Sequence, residues 1–197
     1  MSIGTLLSSR KNSMKTKSEA TIEDLYRVPE NGKAEIVDGE LVIMSPTGWL
    51  PNFAAGEIFS SLREYAKSTK SGRAVTDNAG FIVNLPNRRS FSPDAAFFTG
   101  GPLGMKFIEG APLFAVEVRS EDDYGPAAER KIARKIADYF AAGTQVVWDV
   151  DLLSEDVVRS YEADSPGKAT VYRRGQRAEA GAALPGWSML VDDLFPE

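Results

Sequence analysis

The stretch LFAVEVRSEDDYGPAAERKIARKIADYFAAGTQVVWDV, Leu113 to Val150, decides the fold. Leu113 to Arg119 is an apolar run broken by one glutamate before its closing arginine, and it reads as a strand. Pro126 to Ala142 reads as a helix stopped by Gly143, a favoured residue just past a helix end. Gln145 to Val150 is a second apolar strand. Strand, helix and strand in this order make a candidate crossover unit of a partly parallel sheet.

The chemistry starts inside the same stretch. Glu117 stands in the otherwise apolar strand, where a lone carboxylate is costly and needs a cation, donors or a metal. Arg119 lies on the same face by alternation and is one candidate partner. At roughly 100° per residue, Ile132, Ile136, Tyr139 and Phe140 form one apolar stripe on the helix. Lys135 falls at the edge of that stripe beside Tyr139, while Lys131 and Arg134 point further out. Lys135 can therefore reach into a cleft beside the strand, or simply snorkel along the helix surface. Asp94, after Pro93 at the head of a run from Ser92 to Phe98, is either a second cleft acid or a turn residue. Two strand carboxylates with a nearby lysine suit a metal site, with the lysine positioning or polarising the attacking water.

Outward from this unit, the chain alternates between short strands and helices. Thr21 opens a short helix with a hydroxyl at its cap and an acid three residues on, and Glu30-Asn31-Gly32 is a turn. Lys33 to Met44 reads as a hairpin around Asp38-Gly39. Asn52 to Ser68, with Phe53, Ile58, Leu62 and Tyr65 at helical intervals, is an amphipathic helix. Ala74 to Leu85 is a strand region interrupted by turn residues. Asp156 to Ala163 and Ala169 to Arg174 form a second hairpin, and Leu184-Pro185-Gly186-Trp187 starts a closing segment. Gly100 to Gly104 is a plain loop, since no Gly-Lys-Ser/Thr follows to make a phosphate cradle. Residues 1–18 read as a flexible basic tail, with Met14 an alternative start. Residues 19–197 read as a single α/β domain with antiparallel strands on both sides of the crossover, hence a mixed sheet.

Composition narrows the chemistry. The 197 residues contain no cysteine and no histidine. Disulfides, thiolate sites, the Ser-His-Asp triad and His-bound zinc are therefore excluded. Any metal must be held by oxygen, which suits Mg²⁺, Mn²⁺ or Ca²⁺. The net charge of -5 argues against indiscriminate nucleic-acid coating but leaves room for a locally basic groove. No apolar run reaches the length of a membrane span, and a cytoplasmic location is expected.

Several segments together resemble a known family. They are Ala34-Glu35-Ile36-Val37-Asp38-Gly39-Glu40-Leu41, Ser45-Pro46, Ser92-Pro93-Asp94, Val116-Glu117-Val118-Arg119-Ser120, Lys135 to Gly143, Val146 to Asp151, Leu184-Pro185-Gly186-Trp187 and Leu194-Phe195. In order and spacing they resemble the Uma-two family of restriction-endonuclease-like domains over about residues 20 to 195. The resemblance implies the PD-(D/E)XK nuclease fold, a mixed sheet flanked by helices, and a homodimer. It implies that Asp94 is the first acid and Glu117 the second, both ligands of Mg²⁺ or Mn²⁺. Arg119 stands where that motif carries its lysine, and Lys135 matches the lysine moved to the following helix. Glu35 resembles an acid near the metal from the first half of the domain, with Glu57 a weaker competitor. Asn52 replaces a histidine that family members carry before the first long helix. The expected function is metal-dependent hydrolysis of DNA phosphodiesters, with Arg119, Arg130 and Arg134 either on flanking phosphates or on a solvated face. The alternatives are a non-catalytic binding or assembly module, or hydrolysis of another substrate at the same site. Trp49, Trp148 and Trp187 read as core or interface residues rather than platforms for bases.

Overall fold

The computed structural model describes residues 19–28, 32–101 and 104–197, so the expected tail at 1–18 and the turn residues Glu30 and Asn31 lie outside them. The helices are α1 (Ile22–Tyr26), α2 (Trp49–Thr69) and α3 (Pro126–Ala141). The strands of the first half are β1 (Lys33–Val37), β2 (Glu40–Met44), β3 (Arg73–Thr76), β4 (Phe81–Ile82), β5 (Ser90–Phe91) and β6 (Ala95–Phe98). Those of the second half are β7 (Ile108–Glu109), β8 (Phe114–Val118), β9 (Val146–Val150), β10 (Val158–Glu162), β11 (Thr170–Tyr172), β12 (Arg177–Glu179) and β13 (Ser188–Leu190).

The central sheet runs β11-β10-β9-β8-β6-β3. Only β8 and β9 are parallel, joined through α3, and the other pairs are antiparallel. The expected crossover and mixed sheet are thus present. Alternation sends the strand residues to two cores. Phe97, Phe114, Val116, Val118, Trp148 and Val150 meet Ala54, Ala55, Ile58 and Leu62 of α2. Ala96, Phe98, Ala115 and Val147 meet Ile136 and Tyr139 of α3, with Phe81 of β4 and Phe91 of β5. Helices cover both faces, which is why β8 and β9 read as continuous apolar runs rather than alternating ones.

Local chemistry accounts for the element ends. Asp38 and Gly39 both take positive φ, 51° and 73°, the geometry a two-residue hairpin turn needs. Gly143 at φ 105° ends α3 as expected. α2 starts one turn before the expected Asn52, because Gly48 takes the cap and Pro51 falls in the first turn, where its missing N–H costs nothing. The expected strand from Ser92 starts instead at Ala95. Ser90 and Phe91 pair with β4 in a separate small sheet, and Pro93 cannot donate to a ladder, so 92–94 is the link between sheets. The run 74–85 likewise divides between two sheets at Asp77-Asn78, where Asn78 is left-handed.

The hairpin β1-β2 stands apart from the main sheet and is tied to β5. Ile36 N–H donates to Ser90 Oγ at 2.9 Å, and Arg89 N–H donates to the Ile36 carbonyl at 3.0 Å. This docking brings β1 over the α3 face of the sheet.

Candidate functional site

The register of β6 and β8 pairs Ala95 with Val116, so its next step sets Asp94 opposite Glu117. Alternation points both toward α3. Like charges directly opposed on a sheet destabilise it, so the pair needs cations or donors around it. The chain provides them. Asp94 Oδ2 accepts from the Val118 N–H at 2.7 Å, and Oδ1 accepts from Lys33 Nζ at 2.7 Å. Glu117 Oε1 accepts from the Tyr139 hydroxyl at 2.6 Å, and Oε2 accepts from Lys135 Nζ at 2.7 Å. Tyr139 is itself fixed by stacking on Phe91, centroid to centroid 4.0 Å. Such a pair adds about 0.5–1.5 kcal/mol beyond its burial.

Lys135 reaches a second acid, Glu35 Oε1, at 2.9 Å. Glu35 also accepts from the Ser92 N–H at 2.9 Å and pairs with Arg88, whose Nε donates to Asp138 at 2.8 Å. Asn87 completes Asp138 at 2.8 Å. On the other side, Lys33 Nζ lies 2.7 Å from Asp77 Oδ1 as well as from Asp94. Two bonded clusters therefore meet at the opposed acids, Asp77–Lys33–Asp94 toward the surface and Glu117–Lys135–Glu35–Arg88–Asp138 toward the interior.

The environment separates these groups. Burial pushes the Glu117 carboxyl up to about 7; Lys135 pulls it down, while Asp94 and Glu35 push it up further. Burial would raise Glu35 too, but Lys135 and Arg88 outweigh it and hold the carboxyl below its ordinary range. Burial opposes the charge on Lys135, yet Glu117 and Glu35 leave it raised. Lys33 is raised in the same way by Asp94 and Glu117. Burial and the neighbouring carboxylates push the Tyr139 hydroxyl up, so it stays a donor.

The donor set fits a hard divalent cation. Asp77, Asp94, Glu117, Glu35 and Asp138 face Lys33, Lys135 and Arg88, a formal surplus of two negative charges. Carboxylate oxygens are the ligands such ions take. Among the described residues no group of three or more acids is arranged to hold a metal ion, so Asp94 and Glu117 stand as a pair. Glu35 is engaged one step back, on Lys135 and Arg88.

Other expectations resolve differently. Arg119 does not pair with Glu117 and is not free for phosphate. It is buried and bidentate on Asp149 at 2.8 and 2.7 Å, and it also pairs with Glu129. Arg134 is clamped on Asp38 at 2.7 and 2.6 Å, while Arg130 is exposed. Glu57 is half-buried on α2, across the sheet from α3. Asn52 is exposed on the first turn of α2, and the loop before that helix is tied to the end of β8 by Thr47 Oγ1 and Ser120 Oγ at 2.8 Å. Trp148 and Trp187 are core residues, but Trp49 is 66% exposed and stacks only loosely on Phe53. Reading the sequence alone missed Lys33, Asp77, Arg88 and Asp138. Alternation along β1 places Lys33 on the face of Glu35, and i+3 spacing sets Asp138 beside Lys135; these signals could have found two of the four.

A mixed sheet covered by helices on both faces, with two acids opposed across antiparallel strands, is a restriction-endonuclease-like layout. The chain belongs to the Uma2 family: that family's model, described as "Putative restriction endonuclease", matches residues 21–195. The crystal structure of a "putative nuclease belonging to DUF820" from Anabaena variabilis ATCC 29413 matches with a TM-score of 0.70 and 19% identity, covering 89% of this chain and 97% of that one. At that identity the likeness speaks for the fold. No curated protein matches the chain. Among the described residues no helix is long and apolar enough to cross a membrane.

Proposed function

We propose that the chain is a divalent-metal-dependent endonuclease that hydrolyses phosphodiester bonds of DNA, with Asp94 and Glu117 holding Mg²⁺ or Mn²⁺. The observation that carries this reading is the placement of the two acids opposite one another on the α3 face, with Lys135 on Glu117. Acids so opposed cost stability, and a cation-binding role explains their pairing better than packing does. When bound, such an ion supplies Lewis acidity at phosphate and acidifies water. Lys135 then offers a fixed ammonium beside Glu117, placed to donate to a water or phosphate oxygen arriving there. Glu35 and Arg88 hold that ammonium in place and charged, so Glu35 acts as a positioning residue. Tyr139 fixes the rotation of the Glu117 carboxylate.

A second reading, a nuclease fold kept as a non-catalytic binding or assembly module, draws on a different observation. All four oxygens of Asp94 and Glu117 already have partners within the chain. Calorimetric titration with Mn²⁺ separates the two. The nuclease reading expects saturable binding by the wild type and its loss in Asp94→Asn, followed by Mg²⁺- or Mn²⁺-dependent cutting of plasmid DNA. A folded protein that binds no Mn²⁺ at millimolar concentration refutes it and leaves the module.

A further inference from the structure

Two lysines serve the acid pair, and they are not equivalent. Lys135 is wedged between Glu117 and Glu35 at 2.7 and 2.9 Å, and Glu35 is itself anchored by Arg88 and the Ser92 N–H. Moving its ammonium would take the cation from Glu117, leaving it only the Tyr139 hydroxyl, and one of two cations from Glu35. Lys33 is bound differently. Its ammonium bridges Asp94 Oδ1 and Asp77 Oδ1, both at 2.7 Å. Register explains the bridge: β3 pairs Thr76 with Ala95, so the next step sets Asp77 beside Asp94.

The oxygens of Asp94 also differ. Oδ2 is fixed by a main-chain N–H from Val118, whereas Oδ1 is held by the side chain of Lys33. The Asp77 side chain is 37% exposed against 18% for Asp94, so the bridge leads from the acid pair toward solvent. A lysine that needed only one acid for its charge has been given two, on neighbouring strand ends.

We propose that Lys33 is a displaceable stand-in for the metal ion: its ammonium neutralises Asp94 in the metal-free protein and withdraws to Asp77 when Asp94 takes a divalent cation. This rests on the metal-dependent reading above. It gives Asp77, which need touch neither metal nor substrate, the role of holding the displaced ammonium. It also lets the opposed acids fold together without metal, since the Lys33 ammonium neutralises Asp94 when no metal does.

The signs of two substitutions make the test. Lys33→Met removes the competitor and should tighten Mn²⁺ binding about tenfold or more, since the ion no longer has to displace a like charge from Asp94. Asp77→Asn keeps Lys33 but removes its alternative partner, and should weaken Mn²⁺ binding. In the Lys33→Met background, Asp77→Asn should have a much smaller effect than it has alone. Isothermal titration of the full chain, with folding checked by circular dichroism, reads all four proteins, and Asp94→Asn marks the site. If the wild type binds Mn²⁺ through Asp94 but Lys33→Met binds it equally or more weakly, Lys33 is a structural tie and the inference is overturned. It is overturned equally if Asp77→Asn binds as tightly as the wild type, which covers the case of an unfolded Lys33→Met. If no variant binds Mn²⁺, the metal-dependent reading fails and this inference with it.

Discussion

Arg119 stands two residues beyond Glu117, just past the end of β8, and substituting it decides whether it is machinery or scaffold. Its guanidinium is bidentate on Asp149, a carboxylate 1% exposed, with Glu129 on its outer side. Arg119→Met leaves Asp149 buried beside a methyl group. Breaking a buried pair from one side costs about 3–5 kcal/mol. Two features select the lower end. Glu129 is half-exposed and adds little, and Arg159 stands 3.7 Å from Asp149 and 3.6 Å from Asp151, near enough to slide in. We therefore expect about 3 kcal/mol. At about 2–4 °C per kcal/mol for a chain of this size, the midpoint should fall by about 6–12 °C. Calorimetric and urea melts at pH 7 measure it. Arg119→Met with Asp149→Asn should recover most of the loss, because no buried charge is then left alone. Arg119→Lys should fall between, keeping the charge without the fork. A cost for Arg119→Met below about 1 kcal/mol would refute the scaffold assignment, since it would match an exposed pair instead. So would loss of DNA cleavage in Arg119→Lys at unchanged stability.

Three further outcomes follow from the site and the core. Glu117 is pushed up to about 7 from an ordinary 4.5, so its neutral form gives stability that is complete below pH 4.5 and lost as pH rises through 7. In chelated buffer Glu117→Gln should therefore raise the melting temperature at pH 8 and not at pH 4.5; an equal change at both pH values would show that this carboxyl does not titrate as described. Glu35 has the opposite sign: held below its ordinary range by Lys135 and Arg88, it stabilises above pH 4.5 and loses that effect as pH falls. Glu35→Gln should cost roughly 3 kcal/mol at pH 7 in a urea melt, with the gap narrowing toward pH 3, and a pH-independent gap would contradict it. Trp148 is fully buried, edge-on to Phe114 at 5.2 Å, and its indole N–H donates to the Glu179 carbonyl at 3.1 Å. Trp148→Ala should cost about 3–5 kcal/mol, and a loss under 1 kcal/mol would mean the core refills.

The crossover β8–α3–β9 was legible because its signals are local. Apolar runs of strand length flank an amphipathic helix bounded by Pro126 and Gly143, and Glu117 and Lys135 stand out against that pattern. The hairpin turn at Asp38-Gly39 was legible for the same reason. β4, β5 and β7 are two residues long, too short for any periodicity, and their pairing depends on chain ends brought together from elsewhere. The partners of the site residues were hidden by distance along the chain. Lys33 meets Asp94 across 61 positions, and Arg88 meets Asp138 across 50. Arg119 illustrates the limit most clearly. Alternation placed it correctly on the face of Glu117, but only the register of β8 on β9 shows that Asp149 stands next in the row and takes it.

Met105, between β6 and β7 in the sequence, is fully exposed, and it divides the chain into two pieces that each hold one half of the acid pair. Asp94, Lys33 and Asp77 come before it; Glu117, Lys135 and Tyr139 come after it. Exposed loop tips are where chains best tolerate breakage. A protein cut at Met105 would thus become a two-component device, neither fragment carrying both acids, in which the carboxylate pair is rebuilt only when β6 of one piece zips onto β8 of the other.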